Sequence, residues 1–174
     1  MVEAQENLRA RRYLIWTLFV VFVIHGVETI ETIGGWFAVH AEKLQLAKRA
    51  VAMPTVPELA LALALEALVV ALACFAGARQ AERSPGMTLY LAMVGVVFGT
   101  AIVDIGQAVF VGGYAPGLVS AVVLLLPFSI LMLVWGLKAE WLSPVGLVAA
   151  VVVGMILQWL LRAVTLGVAH SILG

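Results

Sequence analysis

The chain has 174 residues, of which 64% are hydrophobic and 11% charged, and its mean hydropathy is +1.12. Soluble domains run nearer half apolar and a quarter charged, so the composition excludes one of these and marks an integral membrane protein of one helical unit. Ten Lys and Arg balance ten Asp and Glu, which gives no electrostatic case for nucleic acid or an acidic partner. The single cysteine, Cys74, lies in an apolar run, so it reads as a small buried residue; no disulfide framework or thiolate metal site is available.

Five apolar stretches reach the roughly 20 residues that a bilayer crossing needs. They fall at about 13–33, 57–76, 87–111, 116–137 and 145–169, and predict an all-α, polytopic bundle of five transmembrane helices. Arg9, Arg11 and Arg12 precede the first run as in a signal peptide, but that run is long and carries Glu28 and Glu31, so it reads as a retained span. The segment 34–56 is the one long connection. Gly34-Gly35 is expected to break the first helix, with Leu44, Leu46 and Ala47 alternating with Glu42, Lys43, Lys48 and Arg49 in an interfacial helix anchored by Trp36. A simple extension of the first helix is the alternative.

Thr55-Val56-Pro57, Ser84-Pro85 and Ser143-Pro144 each set a hydroxyl beside a proline, the pattern of an N-cap with proline in the first turn. Tyr114-Ala115-Pro116-Gly117 predicts a tight turn between the third and fourth spans, and Pro127 predicts a kink inside the fourth. Gly95 and Gly99, with Gly146 and Gly154 in the last span, offer close-approach points between helices. With the N-terminus inside, the inner loops hold Arg9, Arg11, Arg12, Arg79, Arg83 and Lys138, and the outer ones Lys43, Lys48 and Arg49. That asymmetry predicts a cytoplasmic N-terminus and an external C-terminus in the cell membrane.

Ionisable groups inside spans are costly and mark function or pairing. His25 and Glu28 sit one turn apart on one helix face, and Glu31 a turn beyond. At about 1.5 Å of rise per residue, His25 lies about 18 Å up the first span, and Asp104 and Arg162 about 26 Å up theirs. Glu66, on a descending span, falls close to the level of His25. Gln107 and Gln158 lie within a turn of Asp104 and Arg162. Four carboxylates (Glu28, Glu31, Glu66, Asp104) thus face Arg162 and His25, so some are protonated, or a cation binds, or water enters. Depth alone pairs Arg162 with Asp104 and His25 with Glu28, leaving Glu66 as the protonated acid; were Arg162 to pair with Glu66, Asp104 would take that part. Glu58, in a first helical turn, reads as a carboxylate offsetting the helix dipole.

His25-Gly26-Val27-Glu28 resembles the first four positions of the motif that gives the HXXEE-motif family of small integral membrane proteins its name. Tyr114-Ala115-Pro116-Gly117-Leu118-Val119-Ser120-Ala121 is similar to that family's Tyr-x-Pro-Gly segment before a later span. Thr29 stands at the motif's fifth position, with Glu31 two residues on, and Asp104 stands about where the family often has a second histidine. The resemblance implies where a site lies and carries no settled activity.

Three functions compete. The first is an intramembrane acid–base enzyme acting on a lipid-like or isoprenoid substrate, with His25, Glu28, Glu66, Asp104 and Arg162 as catalytic groups and Gln107, Gln158 and Glu31 binding its polar part. No cofactor is required; in a metal-assisted version His25 and Glu28 would ligate a divalent ion, with Glu66 or Asp104 completing the shell. The second is a proton-coupled transporter or permeation unit. The third is a structural or interaction subunit whose polar cluster sets helix register. A membrane lipid or other apolar small molecule is the expected partner, and a homo-oligomer is compatible with the small-residue faces.

Overall fold

The computed structural model describes residues 2–48, 54–79 and 84–174. Five long helices account for nearly all of them: α1 (Val2–Lys48), α2 (Val56–Arg79), α3 (Pro85–Val111), α4 (Leu118–Lys138) and α5 (Pro144–Leu173). Each contains a stretch long and apolar enough to cross a membrane, and the chain is a multi-pass membrane protein.

The starts follow the local chemistry read from the sequence. Ser84 Oγ accepts from the Met87 N–H at 3.2 Å, and Ser143 Oγ from the Gly146 N–H at 3.1 Å. Thr55 and Glu58 form a reciprocal capping box. The Thr55 N–H donates to Glu58 Oε2 at 2.7 Å, and the Glu58 N–H to Thr55 Oγ1 at 3.4 Å. Glu58 also meets His170 Nδ1 at 2.7 Å, so the first turn of α2 is tied to the end of α5. Gly146 lies against Ser143 and Leu142 of its own cap, not against another helix.

Gly34-Gly35 does not break α1, which runs on to Lys48. Two glycines cost a helix only about 1 kcal/mol each relative to alanine. Beyond them Trp36 Nε1 donates to the Tyr114 carbonyl at 2.7 Å, which fastens the next turn to the α3–α4 connection. The interfacial alternation expected further on falls outside the described residues for Arg49, and so do the side chains of Glu42, Lys43, Leu44, Leu46, Ala47 and Lys48. Arg83, counted for orientation, is likewise outside.

Pro127 lacks an N–H, and its ring crowds the carbonyl four residues back. The helix answers with a widened π turn at Ala121–Leu125, where the Leu126 N–H reaches the Ala121 carbonyl. The disturbance therefore lies a turn before the proline.

Helix α3 is the centre of the bundle: 67% of its most apolar stretch is buried, against 17% for α5. One continuous core joins its buried residues to Ile15, Leu18 and Phe22 of α1, Val70 and Cys74 of α2, and Leu125 and Met132 of α4. In lipid the hydrophobic effect does not drive helices together, so close backbone approach carries more of the packing. Gly95 and Gly154 provide it: a Cβ on Gly154 would stand 2.6 Å from the Gly95 Cα and 2.6 Å from the Val96 nitrogen. A Cβ on Gly99 would stand 3.2 Å from the Met155 Cα.

Because the obstacle at Gly154 is backbone, it has no flexible end to yield. Gly154→Ala is expected to cost about 1–3 kcal/mol and to lower the thermal unfolding midpoint in detergent. Gly167→Ala, where a Cβ meets nothing within 4 Å, should leave the midpoint unchanged or raise it. Equal midpoints for the two variants would refute the crossing.

Candidate functional site

The connection from α3 to α4 builds one wall of the site. Gly112, at φ 75°, ends α3 in the left-handed conformation. Ala115 to Leu118 form a type II turn: Pro116 fills its second position, Gly117 its third at φ 79° and ψ 0°, and the Leu118 N–H reaches the Ala115 carbonyl at 3.1 Å. Gly117 is required twice over. A Cβ there would be strained by its φ and would stand 2.5 Å from His25 Cε1 and 2.6 Å from Thr29 Oγ1.

Helix α1 fits against this turn through the next face of the same motif. Glu28 Oε2 accepts the Ser120 N–H at 2.7 Å, and Oε1 accepts the Val119 N–H at 3.0 Å and the Tyr114 hydroxyl at 2.7 Å. The first N–H groups of a helix have no partner within it, and its N-terminus carries a partial positive charge. Glu28 supplies both the acceptors and the opposing charge from a different helix. Burial, with the Glu28 carboxylate beside it, holds the Tyr114 phenol above its usual range.

His25, 2% exposed, sits one turn below. Its Nδ1 lies 3.1 Å from Ser120 Oγ, and its Nε2 lies 3.4 Å from Asp104 Oδ2 on α3. The second contact is longer than a hydrogen bond, and Asp104 Oδ2 is buried with no hydrogen-bond partner. The Asp104 side chain is still 13% accessible.

On the far side, Glu66 of α2 pairs with Arg162 of α5. Arg162 Nη2 donates to Glu66 Oε2 at 3.0 Å. Arg162 Nε stands 2.8 Å from Oε1 but is not aligned for a hydrogen bond, so that contact is Coulombic. The Thr165 hydroxyl lies 3.0 Å from the same Oε1, close enough to donate to it. The guanidinium is within electrostatic reach of both His25 and Asp104, so the two clusters share one layer.

The structure sets His25 against Asp104 and Glu66 against Arg162, and two partnerships differ from expectation. Arg162 pairs with Glu66 and not Asp104, because Asp104 meets His25 of α1 whereas Arg162 faces α2. Glu28 does not pair with His25, because the α4 N-terminus takes both its oxygens. Gln158 is buried in α5 with Oε1 unpartnered, whereas Gln107 and Glu31 are exposed and stand apart from the cluster. Ser120 and Thr165 are site residues that the sequence reading did not single out. Ser120 was detectable as a hydroxyl in the first turn after the Pro-Gly turn; Thr165 carried no signal beyond lying three residues after Arg162.

Among the described residues no three His, Cys, Asp or Glu side chains converge as a metal site would need. His25 and Glu28 address different parts of the α4 turn and do not form a joint ligand pair. His40 Nδ1 instead lies 3.0 Å from the Trp36 carbonyl.

Comparison with curated proteins and with solved structures finds no match to either. The model of the family described as "Protein of unknown function with HXXEE motif" matches residues 16–132. That stretch includes Asp104, His25 and Glu28, and the Tyr114–Ser120 turn that the last two contact, and the chain belongs to this family.

Proposed function

We propose that the protein is an intramembrane acid–base enzyme in which Asp104 and His25 move protons on a lipid-like, isoprenoid-type substrate. The observation that carries this reading is the buried, unpartnered Asp104 Oδ2 set 3.4 Å from His25 Nε2. The other carboxylates of the layer are matched, Glu66 by Arg162 and Glu28 by the α4 N-terminus. An uncompensated charge in this medium costs several kcal/mol, so Asp104 and His25 hold one proton between them and stay neutral as a pair. Asp104 delivers its proton to the substrate, His25 Nε2 removes another from it, and transfer across the contact restores the pair. No co-reactant is consumed, which suits migration of a double bond or a cyclisation. Membrane-bound isoprenoid cyclases that use carboxylic acids are a chemical analogy.

Access is lateral in this reading. A groove of about 140 Å³ between α1 and α2 is lined by Phe22, Gly26, Ile30, Leu63 and Ala67, neighbours in sequence of His25 and Glu66, which do not themselves line it. A second of about 300 Å³ between α2, α3 and α5 runs past Leu157 and Leu161, on either side of Gln158. Both are almost wholly apolar, as a hydrocarbon chain requires. Glu66, Arg162 and Glu28 keep the layer neutral and the helices in place. The N-terminus is cytoplasmic and the C-terminus external, on the asymmetry of Lys and Arg.

Membranes of cells producing the protein should show a change in their neutral-lipid extract by mass spectrometry. Asp104→Asn and His25→Gln should each abolish it by at least about 100-fold, the usual worth of a general acid or base. In infrared spectra of the purified protein, Asp104→Asn should alter a carboxyl band that Glu66→Gln leaves in place. An unchanged lipid extract from the wild type, or full activity in Asp104→Asn, would sink the proposal.

Glu28→Ala should cost about 1.5–3 kcal/mol for each charged hydrogen bond not replaced by water, and lower the unfolding midpoint accordingly. A midpoint equal to that of the wild type would contradict the capping role. For orientation, a Cys74→Ala background carrying Leu8→Cys or Tyr114→Cys separates the two faces. An impermeant thiol reagent on intact cells should label position 114 and reach position 8 only after permeabilisation. The reverse pattern would invert the topology.

A further inference from the structure

We infer that Ser120 is a positioning residue that fixes the tautomer of His25, holding the proton on Nδ1 and presenting a bare Nε2 to Asp104. The inference rests on the acid–base reading of this pair and adds the group that sets its direction. A serine hydroxyl has one proton to donate. Ser120 Oγ lies 3.2 Å from the Gly117 carbonyl, which can only accept, and 3.1 Å from His25 Nδ1. When the hydroxyl donates to the carbonyl, its lone pair is left for His25, and Nδ1 must carry the proton. The opposite assignment would put the hydrogen of Ser120 on Nδ1 and that of His25 on Nε2. Asp104 Oδ2 would then only accept at this contact, and Nε2, already protonated, could not serve as the base. Only the first assignment leaves Nε2 free to accept a proton while the imidazole is uncharged.

The position of Ser120 is itself imposed. Its N–H is held by Glu28 Oε2 at 2.7 Å, and the Ala121 N–H closes the turn onto the Gly117 carbonyl at 2.9 Å. His25 and Glu28, one turn apart on α1, therefore grip the side chain and the backbone of the same residue of α4. Glu28 determines where Ser120 stands, and Ser120 determines which nitrogen of His25 is basic. Nε2 is then the atom that takes a proton from the substrate or from Asp104.

The test is nitrogen NMR of protein labelled with ¹⁵N-histidine in lipid nanodiscs, with His25 assigned by the resonances missing from His25→Gln. The wild type should show a neutral His25 with the proton on Nδ1. Ser120→Ala should shift the tautomer ratio towards Nε2–H by about tenfold, the worth of one hydrogen bond, and Ser120→Thr should restore it. A wild-type His25 that is protonated on Nε2, or on both nitrogens, overturns the inference even if Ser120→Ala fails to fold. So does a folded Ser120→Ala with the wild-type ratio. The lipid extract separates this from the parent reading. No lipid change with the wild type sinks the enzyme while the tautomer stands, and a lipid change with a tautomer indifferent to Ser120 sinks the inference alone.

Discussion

The seat of Glu28 on the N-terminus of α4 is the constraint on which the rest of the structure depends. The first N–H groups of an α-helix have no partner within it, and lipid offers them none. Elsewhere the chain meets this need locally, with Thr55, Ser84 and Ser143. At α4 the N-cap position is Gly117, which has no side chain, and the acceptor comes from α1. A local serine cap at position 117 is excluded by geometry, since its Cβ would run into His25 and Thr29. The distant carboxylate and the missing local cap are two sides of one arrangement. Together they force α1 and α4 into register at His25.

That register explains how a layer with several carboxylates is tolerated in a membrane. Each charge is met by a different physical device. Glu28 uses a helix dipole and three hydrogen-bond donors, Glu66 a guanidinium and a threonine hydroxyl, and Asp104 the ring of His25. The three are not equivalent. Each oxygen of Glu28 and of Glu66 meets at least one hydrogen-bond donor. Asp104 meets a ring across 3.4 Å, with one oxygen unpartnered. An unmade buried hydrogen bond costs about 1–3 kcal/mol, so the open contact at Asp104 stands at a cost to stability. Within this layer the open carboxylate is the one that faces an imidazole.

The helices were legible because their signals are local: apolar length, a hydroxyl before proline, a Pro-Gly turn. The level of the polar groups was legible too, since rise per residue is nearly constant over 20 Å. Azimuth was not, and the two mispairings come from it. A few tens of degrees of helix rotation decide whether Arg162 meets α2 or α3, and no single-helix pattern in an almost uniformly apolar span records that angle. Gly34-Gly35 misled for a related reason. Helix propensity is a weak prior, and the hydrogen bond from Trp36 to Tyr114, 78 positions away, overrides it. The Glu28 partnership was hidden because its donors are backbone N–H groups, which every residue but proline possesses and which leave no mark in composition.

The two sequence segments that identify the family are thus two halves of one contact. In the first, a spacing of three places His25 and Glu28 on a single face of α1, so that one approach brings an imidazole and a carboxylate to a second helix together. In the second, the Pro-Gly turn fixes the direction in which α4 leaves and removes the Cβ that would bar the imidazole. Thr29, the departure at the fifth motif position, fits this logic. It is 8% exposed, its hydroxyl lies 2.9 Å from the carbonyl of His25, and the turn presses against it at Gly117. A longer acidic side chain at that position would have to displace the turn or point elsewhere. In this chain the acid nearest to the imidazole comes instead from α3, as Asp104. The motif delivers the base and the clamp, and the central helix delivers the acid.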